Sequence, residues 1–144
     1  MSLYLDASVL VALLTNDPHT DRATALLQGR RVVLVVSDFA AAEFASSIGR
    51  RVRMGELTAD QARVAFMTLD TWISRSAHAM ETTPSDIRES TALLRRLDLG
   101  LRTPDAVNLA IARRADADLA TFDVRLAASA RAVGTTVVGV EVRS

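Results

Sequence analysis

"LRTPDAVNLAIARRADADLATFD", residues 101–123, is the stretch on which the fold turns. Thr103-Pro104 reads as a helix start, Thr103 as N-cap and Pro104 as first helical residue, where a missing N–H leaves no bond unmade. The pattern predicts a helix over 104–115 that runs straight into the apolar run "DLATF" (118–122), a predicted strand. Asp105 and Asp123 both follow places where the chain changes direction. Acids there are either ordinary helix-start residues or part of a site that holds a metal.

The same alternation extends outward. "SLYL" (2–5), "VVLVV" (32–36) and "TTVVGV" (135–140) read as strands, with "HAMET" (78–82) a weaker one. "VVLVV" lacks polar alternation, as suits a parallel strand covered on both faces. Helical patterns fall near 7–15, 20–28, 38–54, 58–75, 84–97 and 124–132. Thr58 with Gln61 fits a capping box, Thr83-Pro84 fits an N-cap followed by proline, and Gly55 fits a helix C-terminus. Ala62, Ala65, Phe66, Leu69, Trp72 and Ile73 form one core-facing stripe. Strands alternating with helices, two helices in most crossovers, predict an α/β fold of three layers around a mostly parallel sheet of about five strands. Without repeat or linker, residues 1–144 read as one domain.

Composition excludes much chemistry. The 144 residues are 49% apolar, and a chain of this length buries roughly two thirds of its unfolded surface. Seventeen basic residues balance seventeen acids, so contact with nucleic acid must be local. There is no Cys, hence no disulfide, thiolate zinc site or Cys nucleophile. Every basic residue is Arg, which rules out a P-loop or Schiff-base lysine. His19 and His78 lie in different segments. Any chemistry falls to carboxylates. No apolar run reaches membrane-spanning length and the N-terminus lacks signal-peptide order, so the chain reads as soluble and cytoplasmic.

Four acids stand out. Asp6 ends the first strand, Asp105 opens a helix and Asp123 follows the strand at 118–122; each has an ordinary explanation as a cap or first-turn acid. Glu43 does not. It lies in the second turn of "SDFAAAEFASSIGRR", with Asp38 available as cap and Phe39, Ala40 and Ser47 on its face, so it needs an Arg partner, partial exposure or a role. In a parallel sheet the ligand crevice lies beyond the carboxyl ends of the strands, where all four could converge. Two carboxylates about 4 Å apart repel by roughly 4 kcal/mol at an effective dielectric near 20, so such a cluster takes up protons or a cation. All-oxygen ligands suit Mg²⁺ or Mn²⁺, which lowers the pKa of bound water and offsets charge on a phosphoryl group. The chemistry indicated is phosphodiester hydrolysis.

At these residues the sequence resembles the PIN domain, specifically the VapC-type ribonuclease toxins of bacterial toxin–antitoxin pairs. "YLDASVLVALL", "AAEF", "LRTPDAVNLAIA" and "ATFDVRL" occur in the family's order over nearly the whole chain, with an acid in each. The resemblance implies a three-layer α/β/α fold, Mg²⁺- or Mn²⁺-dependent endoribonuclease activity, a cognate antitoxin and a homodimer. By position, Asp6 and Asp105 match the most direct metal ligands, and Glu43 and Asp123 the acids that complete the pocket. Ser8 and Thr121 match small polar residues beside it. Arg102 and Arg125 are candidate RNA-phosphate contacts; Arg50, Arg51 and Arg53 fit better as cations at a helix C-terminus.

Two other readings compete. Asp6 could be a phosphatase nucleophile, but Ser8 stands where a second Asp is usual and no Lys is present. Alternatively the fold could serve as a non-catalytic binding module, with "SVLVALL" and the helices at 38–75 forming a dimer face or a groove for a partner helix.

Overall fold

Each of the first three strands hands over to a helix whose first turn is tied by a side chain, and these hand-overs set the architecture. The computed structural model describes residues 1–140. In chain order the elements are β1 (Ser2–Leu5), α1 (Ala7–Leu14), α2 (Thr20–Leu27), β2 (Val33–Ser37), α3 (Asp38–Arg53), α4 (Ala59–Ser76), β3 (His78–Met80), α5 (Pro84–Arg95), α6 (Thr103–Arg114), β4 (Asp118–Ala120), α7 (Val124–Ala132) and β5 (Val137–Val138). The strands form one sheet in the order β3-β2-β1-β4-β5, and all four pairings are parallel. The five expected strands and seven helices are present among the described residues, and "mostly parallel" becomes wholly parallel.

Alternation along the strands separates two cores. Leu3, Leu5 and Val36 face one side and pack with Val9, Leu10, Phe44, Ile48 and Leu69 of α1, α3 and α4. Tyr4, Val35 and Leu119 face the other and pack with Leu93, Val107, Leu109, Ile111 and Leu126 of α5, α6 and α7. A sheet buried on both faces explains why "VVLVV" shows no polar alternation. Ala62, Ala65 and Leu69 of the α4 stripe are buried, with Phe66, Trp72 and Ile73 packed at the margin.

Strand order reverses beside β1: the chain steps outward through β2 and β3, then returns to the other side of β1 as β4. At this switch point the adjoining crossovers lie on opposite faces and leave a crevice above the carboxyl ends of β1 and β4.

Three local expectations are corrected. Ser37, not Asp38, caps α3, because β2 continues to Ser37; its hydroxyl accepts from the Ala40 N–H at 2.9 Å. Asp38 instead accepts from the Thr82 N–H and hydroxyl, tying α3 to the turn after β3. Arg102, not Thr103, holds the N-cap position of α6 and makes no side-chain cap bond. The helix starts at Thr103 with Pro104 still in the first turn, where the missing N–H is harmless. Finally, β3, β4 and β5 are shorter than their apolar runs: Thr121 and Phe122 leave β4 to turn over the crevice.

The capping boxes at Thr58/Gln61 and Thr83/Asp86 are both formed. Asp86 does more than cap. It is 2% exposed, accepts from the Thr83 N–H and hydroxyl, and takes both Arg114 Nε and Nη2 at 2.8 and 3.0 Å, clamping α5 to α6. Burial alone would raise its pKa, but Arg114 and Thr83 outweigh it and hold the carboxyl below its ordinary range. The stabilisation is therefore present above the ordinary carboxylate range and lost as pH falls through the depressed folded value. Arg114→Leu, which leaves Asp86 buried without its cation, is expected to lower unfolding free energy by about 2 kcal/mol in urea titrations at neutral pH. The loss should shrink in acid.

Candidate active site

Asp6 stands immediately after β1, at the switch point, and is 5% exposed. Its Oδ1 accepts from the Ser8 hydroxyl at 2.6 Å and from the Val9 N–H at 3.1 Å, so it is the N-cap of α1. Its Oδ2 accepts from the Thr121 hydroxyl at 2.5 Å. The two hydroxyls also act as acceptors: Ser8 Oγ takes the Phe122 N–H and Thr121 Oγ1 takes the Asp123 N–H, each at 3.0 Å. One carboxylate and two hydroxyls thus tie α1 to the end of β4. Gly139 closes this corner from β5. It has φ +103°, and a Cβ there would lie 2.5 Å from the Thr121 carbonyl oxygen, so only glycine fits.

Asp123 is the N-cap of α7; its Oδ1 accepts from the N–H groups of Arg125 and Leu126 at 2.9 and 3.1 Å. The capping explanation thus holds for Asp6 and Asp123 without excluding a second role, because each cap is made by Oδ1 and lone pairs remain on Oδ2, one at Asp6 and two at Asp123.

Glu43 on α3 is half-buried, one of the alternatives the sequence left open, and its hydrogen-bond partner is an amide in place of an arginine. Asn108 Nδ2 donates to its Oε1 at 2.6 Å and to the Pro104 carbonyl at 3.0 Å. The Asn108 Oδ1 accepts from the Tyr4 hydroxyl at 2.5 Å, and that hydroxyl lies 2.6 Å from Ser37 Oγ. Ser37, Tyr4 and Asn108 are all buried, so a closed polar chain runs through the core and ends on Glu43. Burial, Asp6, Glu43 and Asp38 together push the Tyr4 hydroxyl far above its ordinary pKa despite the Ser37 bond, and it remains a neutral donor. None of these three residues stood out in the sequence as part of a site. The available signal was Asn108 itself, polar within "AVNLAIA" and three residues beyond Asp105, on the same helix face.

Electrostatics link the four acids. Burial raises the Asp6 pKa against the bonds from Ser8, Thr121 and Val9, and the Asp123 charge adds to the rise. Burial raises Glu43 against its Asn108 bond, with further repulsion from Asp6 and Asp105. Burial and Asp123 raise Asp105, opposed by the Arg102 backbone and the charges of Arg102 and Arg125. The two arginines singled out in the sequence therefore act on this group of acids, whereas Arg51 pairs with Asp17 at 2.7 Å. Among the described residues, no three His, Asp or Glu side chains lie together closely enough to hold a metal ion. The acids form one repulsive field, not a finished cage. All the donors these acids offer are oxygens, a chemistry that would suit a hard divalent cation.

A family model described as PIN domain matches residues 3–132, and the chain belongs to that family. Solved structures agree on the fold. Mycobacterium tuberculosis VapC20, described as a sarcin-ricin loop cleaving toxin, superposes with a TM-score of 0.73 at 21% identity, covering 99% of each chain. VapBC2 from Rickettsia felis, bound to a promoter DNA fragment, gives 0.69 at 13% identity over 95% of this chain and 97% of that one. A toxin–antitoxin complex from Klebsiella pneumoniae gives 0.64 at 19% identity, covering 99% and 100%. Comparison with curated protein sequences gives no match.

Two outcomes follow from this geometry. Folding raises the Glu43 carboxyl, so ionising it costs stability, a cost absent in acid and present in full once pH exceeds the raised folded value. Glu43→Gln keeps the acceptor for Asn108 and removes the charge. At neutral pH in chelator it is expected to raise Tm by roughly 2–4 °C, about 1 kcal/mol, with no gain in acid. Asn108→Leu does the opposite: it removes the acceptor of the Tyr4 hydroxyl, leaving that group only Ser37, and the donor to Glu43, and should lower unfolding free energy by about 2 kcal/mol in the same buffer.

Proposed function

We propose that this protein is a divalent-metal-dependent endoribonuclease of the VapC type, the toxin of a toxin–antitoxin pair, which hydrolyses RNA phosphodiesters. One observation carries the reading. Burial first, and repulsion from neighbouring acids second, raise the carboxyls of Asp6, Glu43 and Asp105, which come from separate segments near the switch point of a parallel sheet. A fold maintains such repulsion when a ligand offsets it.

Asp6, Glu43, Asp105 and Asp123 would hold Mg²⁺ or Mn²⁺, Asp6 and Asp105 most directly. Bound there, the ion supplies a water of lowered pKa and neutralises charge on the scissile phosphate. Ser8 and Thr121 orient the Asp6 carboxylate through their hydroxyls. Asn108 orients Glu43. Arg102 and Arg125, both exposed, would meet the phosphates of the approaching strand, a local attraction that the neutral net charge does not otherwise offer. The toxin and complex descriptions of the structural relatives support a cognate antitoxin as partner. A homodimer and a cytoplasmic setting belong to the same proposal; among the described residues no helix is long and apolar enough to cross a membrane. The phosphatase reading is weaker, since Ser8 stands where a second Asp is usual and the chain has no Lys to bind a phosphoryl group.

Purified protein is expected to cut a total RNA pool in Mg²⁺ or Mn²⁺ and to stop in excess EDTA. Asp105→Asn should reduce the rate at least about 100-fold, in the range typical for loss of a group that stabilises the transition state. Induction should arrest growth, and sequencing RNA 5′ ends beside the variant should show the cut sites. Cleavage that persists in EDTA would sink the metal reading, and metal binding without any RNA cleavage would favour a binding module.

A further inference from the structure

Beside the acids, a cavity of about 330 Å³ opens between α1, α3 and the segment after β4. Ser8 and Glu43 line its inner end, Phe122 and His19 its rings, and Asp17 and Ser47 its polar wall. Its volume lies in the range of small-ligand sites. The Phe122 ring is held in place: the Arg22 guanidinium sits over it, 4.5 Å from its centroid, and its backbone N–H is bonded to Ser8. The His19 ring stands 5.7 Å from it, tilted by 38°. His19 occupies the N-cap position of α2 but makes no side-chain cap bond, so no helix start needs its imidazole.

The chemistry of these walls selects the occupant. Glu43 repels a phosphate and Asp17 is already paired with Arg51, whereas two neighbouring rings offer surface to a flat π-system. Asp17 is kept ionised: burial would raise its pKa, but the His19 N–H and the Arg51 guanidinium outweigh it and hold it low. Each Asp17 oxygen already accepts one bond, from the His19 N–H or from Arg51, and its second lone pair is left to match a base edge with adjacent N–H donors. Of the four RNA bases, guanine presents such a pair, N1–H beside the exocyclic amine.

Resting on the ribonuclease reading, we propose that this cavity seats a nucleobase of the substrate next to the scissile phosphate, guanine in preference to the others, against Phe122 and His19 with its donor edge towards Asp17. Since Glu43 lines both the cavity and the acid group, a phosphate at the acids leaves the neighbouring base within reach of the rings.

Wild-type protein in EDTA, titrated with guanosine, adenosine, cytidine and uridine and followed by NMR, separates this proposal from catalysis. Guanosine is expected to shift resonances of Phe122 and His19 at lower concentration than the other three. Phe122→Leu should weaken its binding about tenfold, equal to about 1.4 kcal/mol, as for loss of one base-stacking surface. Asp17→Asn should narrow the gap between guanosine and adenosine. On RNA with metal, Phe122→Leu should raise KM more than it lowers kcat and flatten the base preference beside the cut. Four nucleosides that shift nothing at these rings, or bind the Phe122→Leu and Asp17→Asn proteins as they bind wild type, would overturn the cavity assignment even if RNA is cut. Guanosine bound at the rings with no RNA cleaved would support the base site and overturn the ribonuclease reading instead.

Discussion

Most of this molecule's organisation depends on what holds the Asp6 carboxylate. Its two oxygens accept from α1, through Ser8 and the Val9 N–H, and from the end of β4, through Thr121. β1 and β4 are far apart in sequence and adjacent in the sheet. A buried charge is tolerable only when it is well bonded, and these donors come from both sides of the switch point. The same bonds that make Asp6 tolerable in the core also fix the seam between the two helical layers. Gly139 belongs to this seam, because its lack of a side chain lets β5 approach the Thr121 carbonyl.

Glu43 is held on a different principle. Its partner is a neutral amide, backed by a phenol and a hydroxyl, so its negative charge is oriented without being cancelled. Elsewhere the chain uses the cheaper solution: Asp86 with Arg114 and Asp17 with Arg51 are cation-balanced and have depressed pKa values, while Asp6, Glu43 and Asp105 are raised. Within one molecule, then, a bonded arginine lowers some acids while burial without a cation partner raises others.

The neutral balance of seventeen basic and seventeen acidic residues fits this division of labour. No broad basic surface is needed if attraction for a polyanion is concentrated near the acids. Arg102 and Arg125 temper Asp105, and Arg22 sits over Phe122 at the adjoining cavity. These arginines combine a charge with proximity to the crevice.

The element order, the three layers and the acids at strand ends were readable from residue pattern, because burial of alternate strand residues and helix-start chemistry act over a few residues. "DASVL", "TPDA" and "TFDV" each announce a strand-to-helix turn or a helix start and an acid together. Local boundaries were less legible: Ser37 displaced Asp38 as a cap because sheet pairing carried β2 further than its apolar run. Only the tertiary structure could decide that Glu43 meets Asn108, that Tyr4 and Ser37 stand behind that amide, and that Phe122 and His19 wall one cavity. Those partners lie on different elements, and hydrogen bonds across a core depend on strand order and helix docking, which no short stretch of chain encodes.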